Sequence, residues 1–271
     1  MDRRRFVTSV ISLAAGSLTA LGARPVLAAN LAHKDIGIIM MHGKLMHLPG
    51  PLVPYLEREG YLVSGPEMPW SATRRYDVPY SVALRQVHRE VEKLRSRGAR
   101  MVVVGGESFG ANGALAYQAE YGDADALVLL APGHMPGSWY RKGITKDEVD
   151  RATVLLAEGK GKESFSFLDP TPNRPMHATV ETYLSYFRPR GSGNVALSAR
   201  QIAAKKKPIP VLVVNSNQES RTQGRETIYD ELLPHPKSVY IESAADHSNT
   251  AEGTRPDVAR FLDSIAQGFP E

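Results

Sequence analysis

The chain has 271 residues, with 33 Lys and Arg against 29 Asp and Glu, and no cysteine. The missing cysteine excludes structural disulfides, a thiol nucleophile, thiolate metal sites and a lipidated N-terminal cysteine. Arg3, Arg4, Arg5 and Arg24 face only Asp2 in the first 28 residues, so the remainder carries 29 basic and 28 acidic residues, a net +1. The basic balance therefore gives no ground for a nucleic-acid partner.

In chain order, the first expected element is a signal peptide over residues 1–28. Three arginines precede a weakly apolar stretch from Phe6 to about Ala23, and "PVLAA" supplies small residues for cleavage after Ala28. The string "DRRRFV" resembles the twin-arginine export motif. The stretch is too short and too rich in Gly, Ser and Thr for a membrane span. This reading implies contact with export machinery, a periplasmic or secreted location and no stable membrane anchor. Residues 29–271 are long enough to bury one sizeable core, so a single domain is expected.

"IGIIMMHG" (36–43) reads as a strand buried on both faces, followed by a helix from about Pro49 to Arg58 that Gly60 ends. "YLVSGPEMP" supplies the next strand. In "SVALRQVHREVEKLRSRG", Leu84, Val87, Val91 and Leu94 recur at helical spacing and Gly98 stands at the stop position. "RMVVVGG" is a strand, "FGANGALAYQAEYG" a small-residue helix, and "ALVLLAPG", "PVLVVNSN" and "SVYIESA" are further strands before a closing helix from about Pro256. Such alternation predicts an α/β fold: a mostly parallel sheet of about six strands with helices on both sides. Between Gly133 and Pro208 no core strand is evident. Short helical patterns around Val149 and Leu156, and around Val180 and Phe187, predict a helical cap insertion over residues 134–207.

The stretch "VVVGGESFGANG" (102–113) contains G-x-S-x-G as Gly106, Glu107, Ser108, Phe109 and Gly110. A buried strand enters and a helix leaves at once, the context of a nucleophile elbow. Gly106 and Gly110 fit a turn too sharp for side chains. Ser108 then sits at a helix N-terminus, where free N–H groups favour developing negative charge. A serine hydroxyl becomes a nucleophile only when a base takes its proton, and an orienting carboxylate holds that base.

On these residues the chain resembles the α/β-hydrolase superfamily, from Ile36 to Ile265, as an order of elements. The resemblance implies a minimal version of that fold, without the antiparallel strands that usually precede the first parallel one. It places the acid after the strand that follows the cap, where Glu219 is the only carboxylate in the turn, and the base in the loop after the last strand, at His247. Glu242 and Asp246 are alternative partners for His247. The resemblance further assigns the two oxyanion-hole donors to the main-chain N–H groups of Phe109 and Lys44, with His42 shaping the loop.

The implied activity is that of a serine esterase, resembling carboxylesterases and lipases, with a small-molecule ester as substrate. Peptidase, thioesterase or acyltransferase use of the same triad stays open, as does a binding protein whose triad is idle. His134, Trp139 and Tyr183 are candidate pocket residues, together with Tyr140, Tyr186 and Phe187 of the insertion; packing of the insertion on the core explains such aromatics equally well. No cofactor or metal is expected: the sequence lacks His-Glu-x-x-His, a G-x-G-x-x-G after the first strand and a phosphate-loop lysine motif.

Overall fold

The structure, a computed structural model, describes residues 30–46, 50–171, 173–218 and 222–269. The expected leader over residues 1–28 lies outside the described residues. No described helix is long and apolar enough to cross a membrane.

Six strands form one sheet: β1 (Ile36–Met41), β2 (Leu62–Ser64), β3 (Met101–Glu107) and β4 (Ala126–Leu130) lie in the first half of the chain. Two later strands, Val211–Ser216 and Val239–Ser243, complete it. All pairings within this sheet are parallel. Helices α1 (Leu52–Arg58), α2 (Tyr80–Ser96) and α3 (Phe109–Glu120) follow β1, β2 and β3 in turn.

The strand side chains divide by alternation, as a pleated sheet requires. Ile39, Met41, Val102, Val104, Leu127 and Leu129 pack on the face that carries α2 and α3. Ile36, Ile38, Met40, Met101, Val103 and Val128 pack on the opposite face, against α1 and the closing helix. Both faces being covered, these strands read as continuous apolar runs and not as alternating ones. In α2 the predicted stripe Leu84, Val87, Val91 and Leu94 is buried, and Gly98 takes φ +98° just past the helix end.

Between β4 and residue 211 runs the insertion. It comprises α4 (Pro136–Arg141), α5 (Lys146–Ala157), an antiparallel hairpin of β5 (Ser164–Asp169) and β6 (Arg174–Thr179), α6 (Val180–Phe187) and α7 (Val195–Ala204). The hairpin is an addition to the predicted helices. Its strands are exposed along much of their length, and Pro175 lies within β6, so neither gives the buried apolar run that marked the core strands. α3 lies beneath this insertion, with every residue from Phe109 to Gln118 buried.

β7 (Val211–Ser216) and β8 (Val239–Ser243) follow, separated by a π-helical segment at Thr222–Tyr229. Two helices close the chain, α8 (Thr250–Gly253) and α9 (Arg255–Ala266). Val258, Phe261, Leu262 and Ile265 of α9 face the sheet, as predicted. The strand order is β2-β1-β3-β4-β7-β8. The chain therefore leaves β1 to one side and returns on the other at β3, and ligand crevices form at the carboxyl ends of strands at such a switch point. His42-Gly43-Lys44 and Ser108 stand there.

Candidate active site

Ser108 is held at φ +54° and ψ −114° between β3 and α3. A non-glycine residue rarely adopts positive φ, and such strain persists only where the surroundings impose it. Here they do. The Ser108 N–H donates to the Leu130 carbonyl (2.8 Å), while the Ser108 carbonyl accepts from the N–H groups of Ala111 and Asn112. A Cβ on Gly106 would stand 2.4 Å from the Gly110 carbonyl carbon, and one on Gly110 would stand 2.2 Å from the Met41 oxygen. Both glycines are sterically required.

His247 begins a 3-10 turn after β8, and its Nε2 lies 2.9 Å from Ser108 Oγ across 139 residues of sequence. At this distance a serine hydroxyl donates to Nε2 when that nitrogen carries no proton. Asp246 is occupied within its own loop, where its carboxylate accepts from the Asn249 main-chain N–H (2.9 Å) and side-chain amide (3.0 Å). Glu242 is exposed on β8. Glu219 lies outside the described residues, three positions beyond the end of β7 at Ser216.

The β1–α1 loop passes over the serine. The position that a Gly43 side chain would occupy is 3.3 Å from Ser108 Cβ. His42 is buried and shapes this loop: its Nδ1–H donates to the Gly43 carbonyl (2.7 Å), and its Nε2 accepts from the Met68 N–H (3.0 Å). Burial holds its pKa below the usual histidine value. The Lys44 and Phe109 N–H groups have no acceptor among the described residues. Two unspent main-chain donors beside a nucleophile are what an oxyanion hole needs.

The side chain of Lys44 is also engaged, which its position in the sequence did not disclose. Its ammonium donates to both carboxylate oxygens of Asp169 at the tip of the hairpin, at 2.8 and 3.1 Å. The rings of Phe109, Trp139 and Phe187 surround it with centroids 5.4–5.6 Å away. Burial lowers the Lys44 pKa, and the charge of Asp169 opposes that shift. Tyr76 completes the cluster by donating its hydroxyl to Asp169 (2.9 Å).

Glu107, the variable residue before the serine, is 5% exposed. Burial pushes its carboxyl up to about 7, against the opposing effects of nearby His247 and a hydrogen bond from the Ala251 N–H. The sequence marked Glu107 only as a variable position in the motif. No signal there shows that it lies beneath the histidine loop.

A cavity of about 360 Å³ opens beside Ser108 and His247, with His134, Trp139 and Lys142 on its wall. His134 is buried at φ +75°; its Nε2–H donates to the Tyr186 carbonyl (2.8 Å) and its Nδ1 has no hydrogen-bond partner. Burial and the neighbouring Lys44 charge hold its pKa well below the usual value. Tyr183 is elsewhere. It is fully buried between Phe167 (ring centroids 4.2 Å) and Phe187 (4.8 Å), as a packing residue of the insertion. Tyr186 and Phe187 are likewise fully buried, and Tyr140 bonds Asp150. Among the described residues, no group of three His, Asp or Glu side chains converges as a metal site.

Solved structures share this architecture. A monoacylglycerol lipase of Paleococcus ferrophilus superposes with a TM-score of 0.57 at 18% identity, covering 84% of this chain and 94% of that one. The chain has the α/β-hydrolase fold. A soluble variant of the Saccharomyces cerevisiae monoglyceride lipase, in complex with a substrate analogue, gives a TM-score of 0.59 at 14% identity over 85% of this chain and 87% of that one. A highly thermostable carboxyl esterase of Bacillus coagulans gives 0.56 at 16% identity over 84% and 88%. No protein-family model and no curated protein matches the sequence. Within the α/β-hydrolase fold, Ser108 occupies the turn after β3 and His247 the loop after the last strand of the sheet.

Proposed function

We propose that the protein is an exported serine hydrolase that cleaves a carboxylic ester through an acyl-enzyme on Ser108. The observation that carries this reading is the 2.9 Å approach of His247 Nε2 to the Oγ of a strained, glycine-flanked serine. Ser108 Oγ attacks the ester carbonyl carbon while Nε2 takes its proton. The resulting oxyanion accepts from the N–H groups of Lys44 and Phe109. Collapse expels the alcohol, which takes the proton from His247. Water, deprotonated by the same nitrogen, then attacks the acyl-enzyme and releases the acid and the free serine. Glu219 is assigned to hold His247 in the required tautomer.

The three solved structures named above are lipases and an esterase, which supports ester chemistry as the first choice for this site. Export follows from the leader-like composition of residues 1–28. A ladder of chromogenic esters, thioesters and amides, run beside Ser108→Ala, tests the reaction class. The expected result is turnover of esters that disappears in the variant. Preference for amides or thioesters would reassign the triad to peptidase or thioesterase chemistry, and turnover surviving in Ser108→Ala would remove Ser108 from it.

A further inference from the structure

We infer that the cavity beside Ser108 takes a short acyl group ending in a carboxylate, held by the ammonium of Lys142. The inference rests on the hydrolase reading above and names its substrate class. The cavity wall follows α4 from His134 and Met135, next to Phe109, to Lys142 and Ile144 beyond the helix C-terminus. That is about 9 Å of helix. The cavity there measures about 360 Å³.

The charge of the lining is one-sided. Lys44 and the exposed Lys142 are among the lining residues, and no carboxylate among the described residues is. Lys44 is already spent, because its ammonium donates to both oxygens of Asp169 and, at 3.4 Å, to the Thr171 carbonyl. Lys142 has no acidic partner among the described residues, although its surroundings offer pairs to other cations. Lys146 is taken by Asp150 at 2.5 Å. The Arg141 guanidinium folds back to within 3.5 Å of where a Gly137 side chain would start. Trp139 and Met135 line the approach with apolar surface suited to methylene groups, and Ile144 is 46% exposed at the far end. A charged terminus at Lys142, an apolar span along α4 and a carbonyl at Ser108 together describe the half-ester of a short dicarboxylic acid.

The test compares two chromogenic esters of the same shape: mono-4-nitrophenyl glutarate, with its carboxylate, and 4-nitrophenyl 5-methylhexanoate, in which an isopropyl group replaces it. Ser108→Ala protein serves as the blank, since the carboxylate ester also hydrolyses by itself. The wild-type protein is expected to favour the glutarate ester about threefold to fivefold in kcat/KM at low ionic strength, through KM, the size of an ion pair with an exposed ammonium. That ratio should fall toward unity in Lys142→Gln, drop below it in Lys142→Glu, and stay unchanged in Lys34→Gln, which makes the same charge change as Lys142→Gln in the turn before β1. Equal kcat/KM for the two esters, or a ratio indifferent to Lys142, overturns the substrate class while labelling of Ser108 by a fluorophosphonate still stands. Absence of both labelling and ester turnover overturns the hydrolase reading, and the substrate class with it.

Discussion

Lys44 and Asp169 form a buried ion pair that joins the loop over the candidate nucleophile to the hairpin of the insertion, with side chains only 11% and 2% exposed. Removing one member of such a pair strands a charge away from water, at about 3–5 kcal/mol. Asp169→Ala also deprives the Tyr76 hydroxyl and the Thr171 N–H of their acceptor. Each single variant, Lys44→Met and Asp169→Ala, is expected to lose about 3 kcal/mol in urea unfolding, and the double variant less than the sum. Additive losses of under about 1 kcal/mol would place the pair among weakly coupled surface contacts.

The elbow glycines make a steric prediction. Gly106→Ala and Gly110→Ala each drive a methyl group into backbone at under 2.5 Å, whereas Gly43→Ala meets side chains at 3.1 and 3.3 Å. The first two are expected to lower stability by about 3 kcal/mol or more and to reduce soluble yield sharply. Gly43→Ala should be distinctly milder. Thermal melts of the three purified variants check the order, and equal melting temperatures would contradict it.

Glu107 gives the protein an acid-stabilised feature. Its folded pKa is about 7 against an ordinary 4.5, so the folded state holds the proton more tightly than the unfolded chain. Stability from this group is therefore full below about pH 4.5 and lost as pH rises through 7. The swing is on the order of 3 kcal/mol. Glu107→Gln preserves an acceptor for the Ala251 N–H and should gain stability relative to wild type as pH is raised from 5 to 8. A difference between the two urea midpoints that does not change with pH would show that Glu107 is ionised throughout.

His134 acts in the opposite direction. Its folded pKa lies well below 6.5, so stability from its neutral form is present above 6.5 and lost as pH falls below that value. His134→Phe keeps an aromatic ring against Phe109 but gives up the bond to Tyr186. The variant should be less stable than wild type at pH 7.5, by about 1 kcal/mol, and the gap should narrow or reverse by pH 5.5. Because Glu107 and His134 oppose each other between pH 5 and 7, comparisons with each variant separate them, and the wild-type curve alone does not. A gap that widens on acidification would rule out a buried neutral imidazole.

The central sheet was legible because its strands are buried on both faces and so read as unbroken apolar runs, and α2 because a 3.6-residue period survives in its polar surroundings. The G-x-S-x-G turn and the histidine after β8 were legible as types in order, and the structure brings Ser108 and His247 together. The hairpin was not, since β5 and β6 bury only part of one face each. Nor was the Lys44–Asp169 link, which spans 125 residues and exists only once the insertion has docked. Aromatic content could nominate pocket residues but not sort them: Trp139 lines the cavity, while Tyr183 has the same chemistry and stacks inside the insertion.

The most direct test of the account is intact-mass and peptide mapping after treatment of the folded protein with a fluorophosphonate probe. One adduct is predicted, on the peptide that contains Ser108. It should be absent in Ser108→Ala and should form at least about a hundredfold more slowly in His247→Ala, because the serine depends on that base. No adduct on folded wild-type protein, or an adduct at another residue, would contradict the assignment of Ser108 as an activated nucleophile.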